Sequence, residues 1–245
     1  VIEVAGGVAV FVDRDAPTNK LIGAGFSGRA DDSVLSDIEA HFARHGARLQ
    51  AEVSTLADPA LHRQLVERGY MPGGFENVLG RSLRDAGAPS GDNITVALVS
   101  PSDLAMLADV MAEGFSQPDA GGVGGDELPP TDGIRQAFVT TLRIPGFRGY
   151  IARIDGAIVG GAVLRIDTGV AQFGGAATLP AFRRRGVQTT LLRARLADAA
   201  RAGCDIAVVV TQPASKSQQN VQREGFALLY ARQLLVKPAP APSAQ

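Results

Sequence analysis

Apolar and polar residues alternate along this chain with two periods, about two residues in some stretches and about 3.6 in others, and the switches between them divide it into elements. Short β-branched runs at 6–13 (GGVAVFVD) and 20–26 (KLIGAGF), separated by the turn residues APTNK, predict an opening pair of strands. Val34, Leu35, Ile38 and Phe42 then recur at helical spacing and predict a helix over 33–45, with Asp31, Asp32 or Ser33 as its N-cap and Gly46 as its stop. A strand at 47–54, a helix at 59–68 with Pro59 in its first turn, and a strand at 75–81 follow. DAGAPSGDN at 85–93, dense in Gly, Pro and Asp, reads as an interdomain linker.

Beyond it the pattern predicts a strand at 94–99 and a helix to about 114 through Leu104, Leu107, Val110 and Met111, with Ser102 and Asp103 able to cap it. QPDAGGVGGDELPPTD at 117–132 has no periodicity and is longer than an ordinary connection. A short helix at 133–142 leads into three strands, 148–153, 157–166 and 170–178, joined by the turn signals DG and DTG: an antiparallel meander. Then come a helix from 186 to 202, an apolar strand at 205–210, a helix at 215–224 and a strand at 226–236. The closing KPAPAPSAQ is low-complexity, and 238–245 is expected to be a flexible tail.

The two halves end on one plan: helix, Gly, apolar strand, short helix, Gly-aromatic, strand. Residues 45–70 align with 202–226, with Gly46 to Gly69 and Gly203 to Gly225 nearly equally spaced. An internal repeat accounts for this, and so do two generic α/β halves. Composition narrows the class. With 45 % apolar residues among 245 the chain can form sizeable cores, and a net charge of −1 gives no overall field toward nucleic acid or an anionic membrane. The longest apolar runs fall short of a bilayer span, so a soluble, cytoplasmic protein is expected. One cysteine, Cys204, permits no internal disulfide and reads as a packed, inert thiol at the start of a strand. His41, His45 and His62 lie in the first half without metal spacing, so no metal site is expected.

The chemistry concentrates at 183–190, RRRGVQTT, where three arginines and a glycine open a helix. Unpaired N–H groups of a first helical turn, with the helix dipole, are suited to phosphate. The arginines taken alone are equally a solvated cationic cluster. Read with its surroundings, ATLPAFRRRGVQTTLL at 177–192 resembles the acyl-CoA-binding motif of the GNAT superfamily of N-acyltransferases, with Pro180, Phe182, Arg183 and Gly186 fitting and Gln188 standing where the family is small. The resemblance covers 94–236.

It implies an α/β fold of two GNAT-like lobes, each a mixed, mostly antiparallel sheet flanked by helices. These are a degenerate N-terminal lobe at 1–84, the linker at 85–93 and a catalytic domain at 94–237. Asp31 and Asp32 stand in the first lobe near the place of the arginines and would repel pyrophosphate. Acetyl-CoA is the implied cosubstrate, without a metal. Its pyrophosphate would lie on the N–H groups of Arg183, Arg184, Arg185, Gly186, Val187 and Gln188, with arginine side chains toward the 3′-phosphate, the Gln188 amide donating to the pyrophosphate, and Thr189 or Thr190 adding a hydroxyl. Gly174, Gly175 and Ala176 would lie on a splayed strand, with Ala177, Thr178 and Leu179 presenting backbone to pantetheine. Val221 falls where the family carries a tyrosine acid, which leaves Asn220, Ser217 and Ser215 as polar substitutes. Glu113, Asp126, Glu127 and Asp132 could rim the acceptor pocket, Glu113 being the base candidate. Tyr150 and Tyr230 are possible pocket residues or packing. The implied reaction is acetyl transfer to a small-molecule or peptide amine in a ternary complex, by a monomer or homodimer that engages neither nucleic acid nor membrane. The alternative is a non-catalytic acyl-CoA-binding regulatory or interaction module.

Overall fold

The computed structural model describes residues 1–14, 16, 18–84, 93–117 and 131–239. The expected linker apart from Asn93, Asp126 and Glu127, the side chain of Asp132, and the tail from 240 onward lie outside them. The fold is mixed α/β, with mostly antiparallel strands and six α-helices among the described residues. It forms two compact units, Val1–Asn77 with Leu229–Gln245, and Val78–Leu228. None of the described helices is long and apolar enough to cross a membrane.

The first unit begins with β1 (Ile2–Val4), β2 (Gly7–Val10) and β3 (Lys20–Ile22), an antiparallel meander in place of the expected strand pair. β1 has three residues of which only Val4 is buried, too short a pattern to read. Helix α1 (Asp32–Arg44) connects β3 to its parallel neighbour β4 (Leu49–Ser54), and α2 (Pro59–Glu67) leads into β5 (Met71–Ser82). Leu35, Ile38 and Phe42 of α1 and Leu61 and Leu65 of α2 meet Leu21, Leu49 and Ala51 in one core. Each such leucine-sized side chain contributes about 1.5–3 kcal/mol by leaving water. The last strand, β11 (Ala227–Lys237), expected to close the catalytic domain, belongs from Leu229 onward to this first unit. Arg232 to Lys237 pair antiparallel with Ser54 to Leu49, and that ladder decides the membership of the strand.

The second unit takes the end of β5, then β6 (Thr95–Leu98), α3 (Leu104–Ser116), α4 (Thr131–Leu142), β7 (Phe147–Ile154), β8 (Ala157–Asp167), β9 (Val170–Thr178), α5 (Val187–Arg201), β10 (Ile206–Thr211) and α6 (Lys216–Arg223). Strand order is β5-β10-β9-β8-β7-β6, with β6 to β9 antiparallel and β9 parallel to β10. The two hairpin turns are as the sequence predicts: Asp155 and Gly156 have φ of 49° and 80°, Thr168 and Gly169 45° and 79°, the paired positive values of type I′ turns. The entry to α3 differs. Ser102 lies inside a 3-10 turn (Pro101–Asp103), no side chain caps the helix, and Ser100 Oγ instead donates to Asp103 Oδ2 at 2.6 Å. One core unites Val159, Ala162 and Leu164 of β8 with Leu191, Leu192 and Leu196 of α5 and Val221 of α6. A second unites Val163 of β8 with Leu107 and Met111 of α3 and Leu142 of α4. From Ala162 to Leu164 successive β8 residues thus serve opposite faces, Ala162 and Leu164 toward α5 and α6 and Val163 toward α3 and α4.

Candidate functional site: an open parallel strand pair under an uncapped helix

The parallel ladder between β9 and β10 runs from Val170↔Ile206 to Phe173↔Val209 and stops there. β9 continues to Thr178, paired with β8 on its other side up to Gly160↔Thr178, and that pairing shifts register between Ala162 and Leu164. The bulge faces Gly174 and Gly175. Beyond Phe173, therefore, β9 has one edge without a strand partner among the described residues, as the resemblance implies for this strand. The glycines fit closely there: a Cβ on Gly175 would lie 3.1 Å from Phe138 and 3.3 Å from Met111, and one on Gly174 would lie 3.3 Å from Val163.

The 3-10 turn Pro180–Phe182 and the arginines carry the chain from β9 into α5. Arg184 and the N-cap Gly186 both take left-handed backbone, φ 62° and 85°, and no side chain caps α5. Only the fourth residue of this entry closes the first helical bond, Thr190 N–H to Gly186 C=O at 3.0 Å. The N–H groups of Val187, Gln188 and Thr189 precede any intrahelical acceptor. Arg184 and Arg185 are exposed, Arg185 lying 5.4 Å over the Phe182 ring. This brings Arg184 to Thr189 together as a cationic, uncapped helix start beside the open edge of β9.

Other expected residues are engaged elsewhere. The guanidinium of Arg183 donates to Gly114 C=O at 3.1 Å, to Gln117 C=O and to Thr178 C=O, and its N–H donates to Pro180 C=O at 3.3 Å. A cation at the C-terminal end of α3 is favoured by the helix dipole, so this side chain ties α3 to β9 rather than facing the helix start. Leu179 donates its N–H to Val159 C=O at 2.9 Å and its C=O accepts from Phe182 N–H at 2.9 Å, so its backbone donor is already used within the protein. Gln188, expected to donate to an anion, sends its amide to Ala176 C=O at 3.3 Å.

Sequence reasoning missed Arg195: it stands four residues after Leu191 and three after Leu192, on the buried face of α5, but its charge argued for the surface. It is 3 % exposed. Its guanidinium donates to Leu191 C=O at 3.2 Å, to Val163 C=O in the bulge at 3.1 Å and to Gly174 C=O at 3.4 Å, and lies 4.6 Å over Phe173. Burial pushes its pKa down to about 10. Nearby, Tyr150 is packing rather than pocket: its hydroxyl donates to buried Asp198 at 2.7 Å, and burial, then that carboxylate, raises its pKa.

The acid and base candidates are dispersed. Val221 is buried in the core. Ser215 caps α6, accepting from Gln218 N–H at 3.2 Å; Ser217 is exposed; the Asn220 carbonyl accepts from Arg223 at 3.2 Å. Glu113 is exposed on α3. Cys204 is buried and burial raises its pKa, as suits a packed thiol. In the first unit, a cavity lined by Glu3, Gly6, Asp31 and Val34 presents carboxylates, the wrong sign for phosphate.

Residues 119–226 match the model of the acetyltransferase (GNAT) family, of which 119–130 lie outside the described residues. Among solved structures the chain is similar to a GCN5-related N-acetyltransferase from Kribbella flavida, at 20 % identity over 98 % of this chain and 89 % of that one, TM-score 0.70. It is similar to a tandem GNAT protein from the clavulanic acid biosynthesis pathway, at 15 % identity over 86 % and 70 %, TM-score 0.63. A GCN5-related N-acetyltransferase from Sphaerobacter thermophilus matches at 17 % identity over 87 % and 68 %, TM-score 0.61. At these identities the structures establish the fold. No curated protein matches the chain.

Proposed function

We propose, from the match of residues 119–226 to the acetyltransferase (GNAT) family model, that the chain moves an acetyl group from acetyl-CoA to an amine by direct attack in a ternary complex. One observation carries this reading: the uncapped start of α5, entered through left-handed Arg184 and Gly186, opens beside the edge of β9 that β10 leaves unpaired after Phe173. Val187, Gln188 and Thr189 N–H groups would hold the pyrophosphate, Arg184 and Arg185 the 3′-phosphate, and the backbone of Gly174–Ala177 the pantetheine arm.

Bound in this way, the cosubstrate supplies the thioester. The amine nitrogen forms the C–N bond at its carbonyl carbon, the C–S bond breaks, the thiolate leaves, and the proton lost by the amine passes to solvent. With Val221 in the core and Ser215 capping α6, the chain's contribution is alignment of the reactants, and water protonates the thiolate. The acceptor is a small-molecule or peptide amine, and the reaction is cytoplasmic. The first unit is an abbreviated copy of the same plan, a reading supported by its own β3–α1–β4 parallel pair.

Calorimetric titration with acetyl-CoA tests the cofactor, and thiol release across an amine panel tests the transfer. Absence of acetyl-CoA binding ends this reading. A second reading, an acyl-CoA-binding module without turnover, is favoured by one observation, the buried valine where the family has an acid; binding without thiol release from any amine would select it.

A further inference from the structure

Two buried hydroxyls in the second unit have no hydrogen-bond partner: Thr178 Oγ1, in a residue 6 % exposed, and Thr211 Oγ1, in a residue 5 % exposed. The only other buried, unpartnered side-chain polar atom among the described residues of this unit is Arg165 Nε, on a side chain ion-paired to Asp167. Leaving a polar group buried without a partner is unfavourable, so a pair of them calls for an explanation.

Their positions are related. Thr178 ends β9 and Thr211 ends β10, the two parallel strands whose ladder stops at Phe173↔Val209. Thr211 shares the face of Ala207 and Val209, both of which pack with Leu191 and Leu192 of α5. Thr178 is in register with Gly160, and a Cβ there would lie 3.0 Å from Val187 Cγ1 in the first turn of α5. Cross-strand partners point to one face. Both hydroxyls thus flank the gap between the strands on the side of α5, Thr211 two residues past the last paired position and Thr178 five past it. Meanwhile the carbonyls along that stretch of β9 are engaged: Gly174 by Arg195, Ala176 by Gln188 and Thr178 by Arg183. Each of these carbonyls already accepts one hydrogen bond, whereas the two hydroxyls have none and can both accept and donate.

We propose that Thr178 and Thr211 are ligand-positioning residues whose hydroxyls hydrogen-bond the amides of the pantetheine arm, Thr211 nearer the closed end of the gap and Thr178 nearer the start of α5. This rests on the acyl-CoA reading above. The test uses Thr178→Val and Thr211→Val, which keep shape and remove only the hydroxyl, with Thr→Ser at each position as the variant that restores it. Calorimetry measures CoA and, separately, adenosine 3′,5′-bisphosphate, which keeps the 3′-phosphate and the first phosphate of the pyrophosphate but has no arm. Each Val variant should bind CoA about tenfold more weakly, bind the bisphosphate as wild type does, and melt at an equal or higher temperature, because an orphan hydroxyl has been removed from the free protein. Each Ser variant should recover CoA binding. Unchanged CoA affinity in the Val variants, equal weakening toward the bisphosphate, or a lowered melting temperature with no recovery by Ser would overturn the assignment. If wild type itself binds no CoA, the acyl-CoA reading has failed and this assignment falls with it, an outcome separable from wild-type binding that the Val variants leave unchanged.

Discussion

Helices α1 and α5 occupy the same place in two β–α–β segments, and they begin in opposite ways. Asp31 caps α1: its carboxylate accepts from Ser33 N–H at 2.7 Å and Ser33 Oγ at 2.6 Å, and those bonds hold it below the usual carboxylate range. Asp32, in the same turn, is also held low, chiefly by the Gln64 amide and then by Arg29 and Arg68. After β3 the chain is tied across to the other side of the pair, Gly25 C=O accepting from Asp58 N–H at 2.9 Å, and a Cβ on Gly25 would lie 2.8 Å from Ala57. In α5 the cap is a left-handed glycine, no carboxylate among the described residues answers the N–H groups, and the strands below stop pairing at Phe173. Equal topology therefore yields one helix start met by a carboxylate of its own protein and one without a side-chain cap, the start to which the proposed function assigns an anion. The difference rests on the N-cap side chain and on whether the strand pair is closed.

The largest way to break this contrast is Gly186→Asp, which gives α5 the acidic start of α1. CoA affinity should fall on the order of 100-fold, since like charges brought together cost several kcal/mol, and calorimetry reads it. Affinity within threefold of wild type would show that the helix start does not hold the anion. Next is Arg195→Ala, which removes the cation bridging α5 to the bulge. It leaves Val163 and Gly174 carbonyls unpartnered beside a cavity, and urea unfolding should show a loss of about 3 kcal/mol.

The reciprocal change, Asp31→Ala, uncaps α1. A melting temperature lower by about 2–4 °C is expected, with CoA binding unchanged, because opening the cap does not open the strand pair beneath it. The smallest effect concerns Glu39, which receives Arg68 Nε and NH2 at 3.0 Å each and Lys237 Nζ at 2.7 Å. Burial alone would raise its carboxyl, but these bonds outweigh it and hold it below the ordinary glutamate value. The first unit then has the full contribution above the unfolded value and loses it as pH falls through the lower folded one. Urea midpoints between about pH 3 and 7 should decline less steeply at the acid end in Glu39→Gln.

Much of this was legible along the chain. Helical spacing located α1, Pro59 the start of α2, and paired turn residues the hairpins between β7, β8 and β9, because these signals act between near neighbours. The uncapped, arginine-flanked start of α5 could also be read, as Gly186 and its neighbours are contiguous. β1 escaped because three residues carry no period, and β11 was placed with the wrong unit because partner choice is made by a distant strand. The fates of Arg183, Leu179 and Gln188 likewise depended on Gly114, Val159 and Ala176, which the sequence sets tens of residues away or on another element.

What the sequence alone determined is most of the helices and strands in their order, the plan shared by the two halves and the stretch where an anion could sit, since backbone propensity, capping chemistry and glycine's access to positive φ are local properties. The tertiary structure alone decided that β9 and β10 part after Phe173, that Arg195 fills the bulge, and that Thr178 and Thr211 are left unpartnered at the ends of those strands. Hydrogen-bond satisfaction in a buried site is a sum over groups from several elements, and it exists only once those elements are packed together.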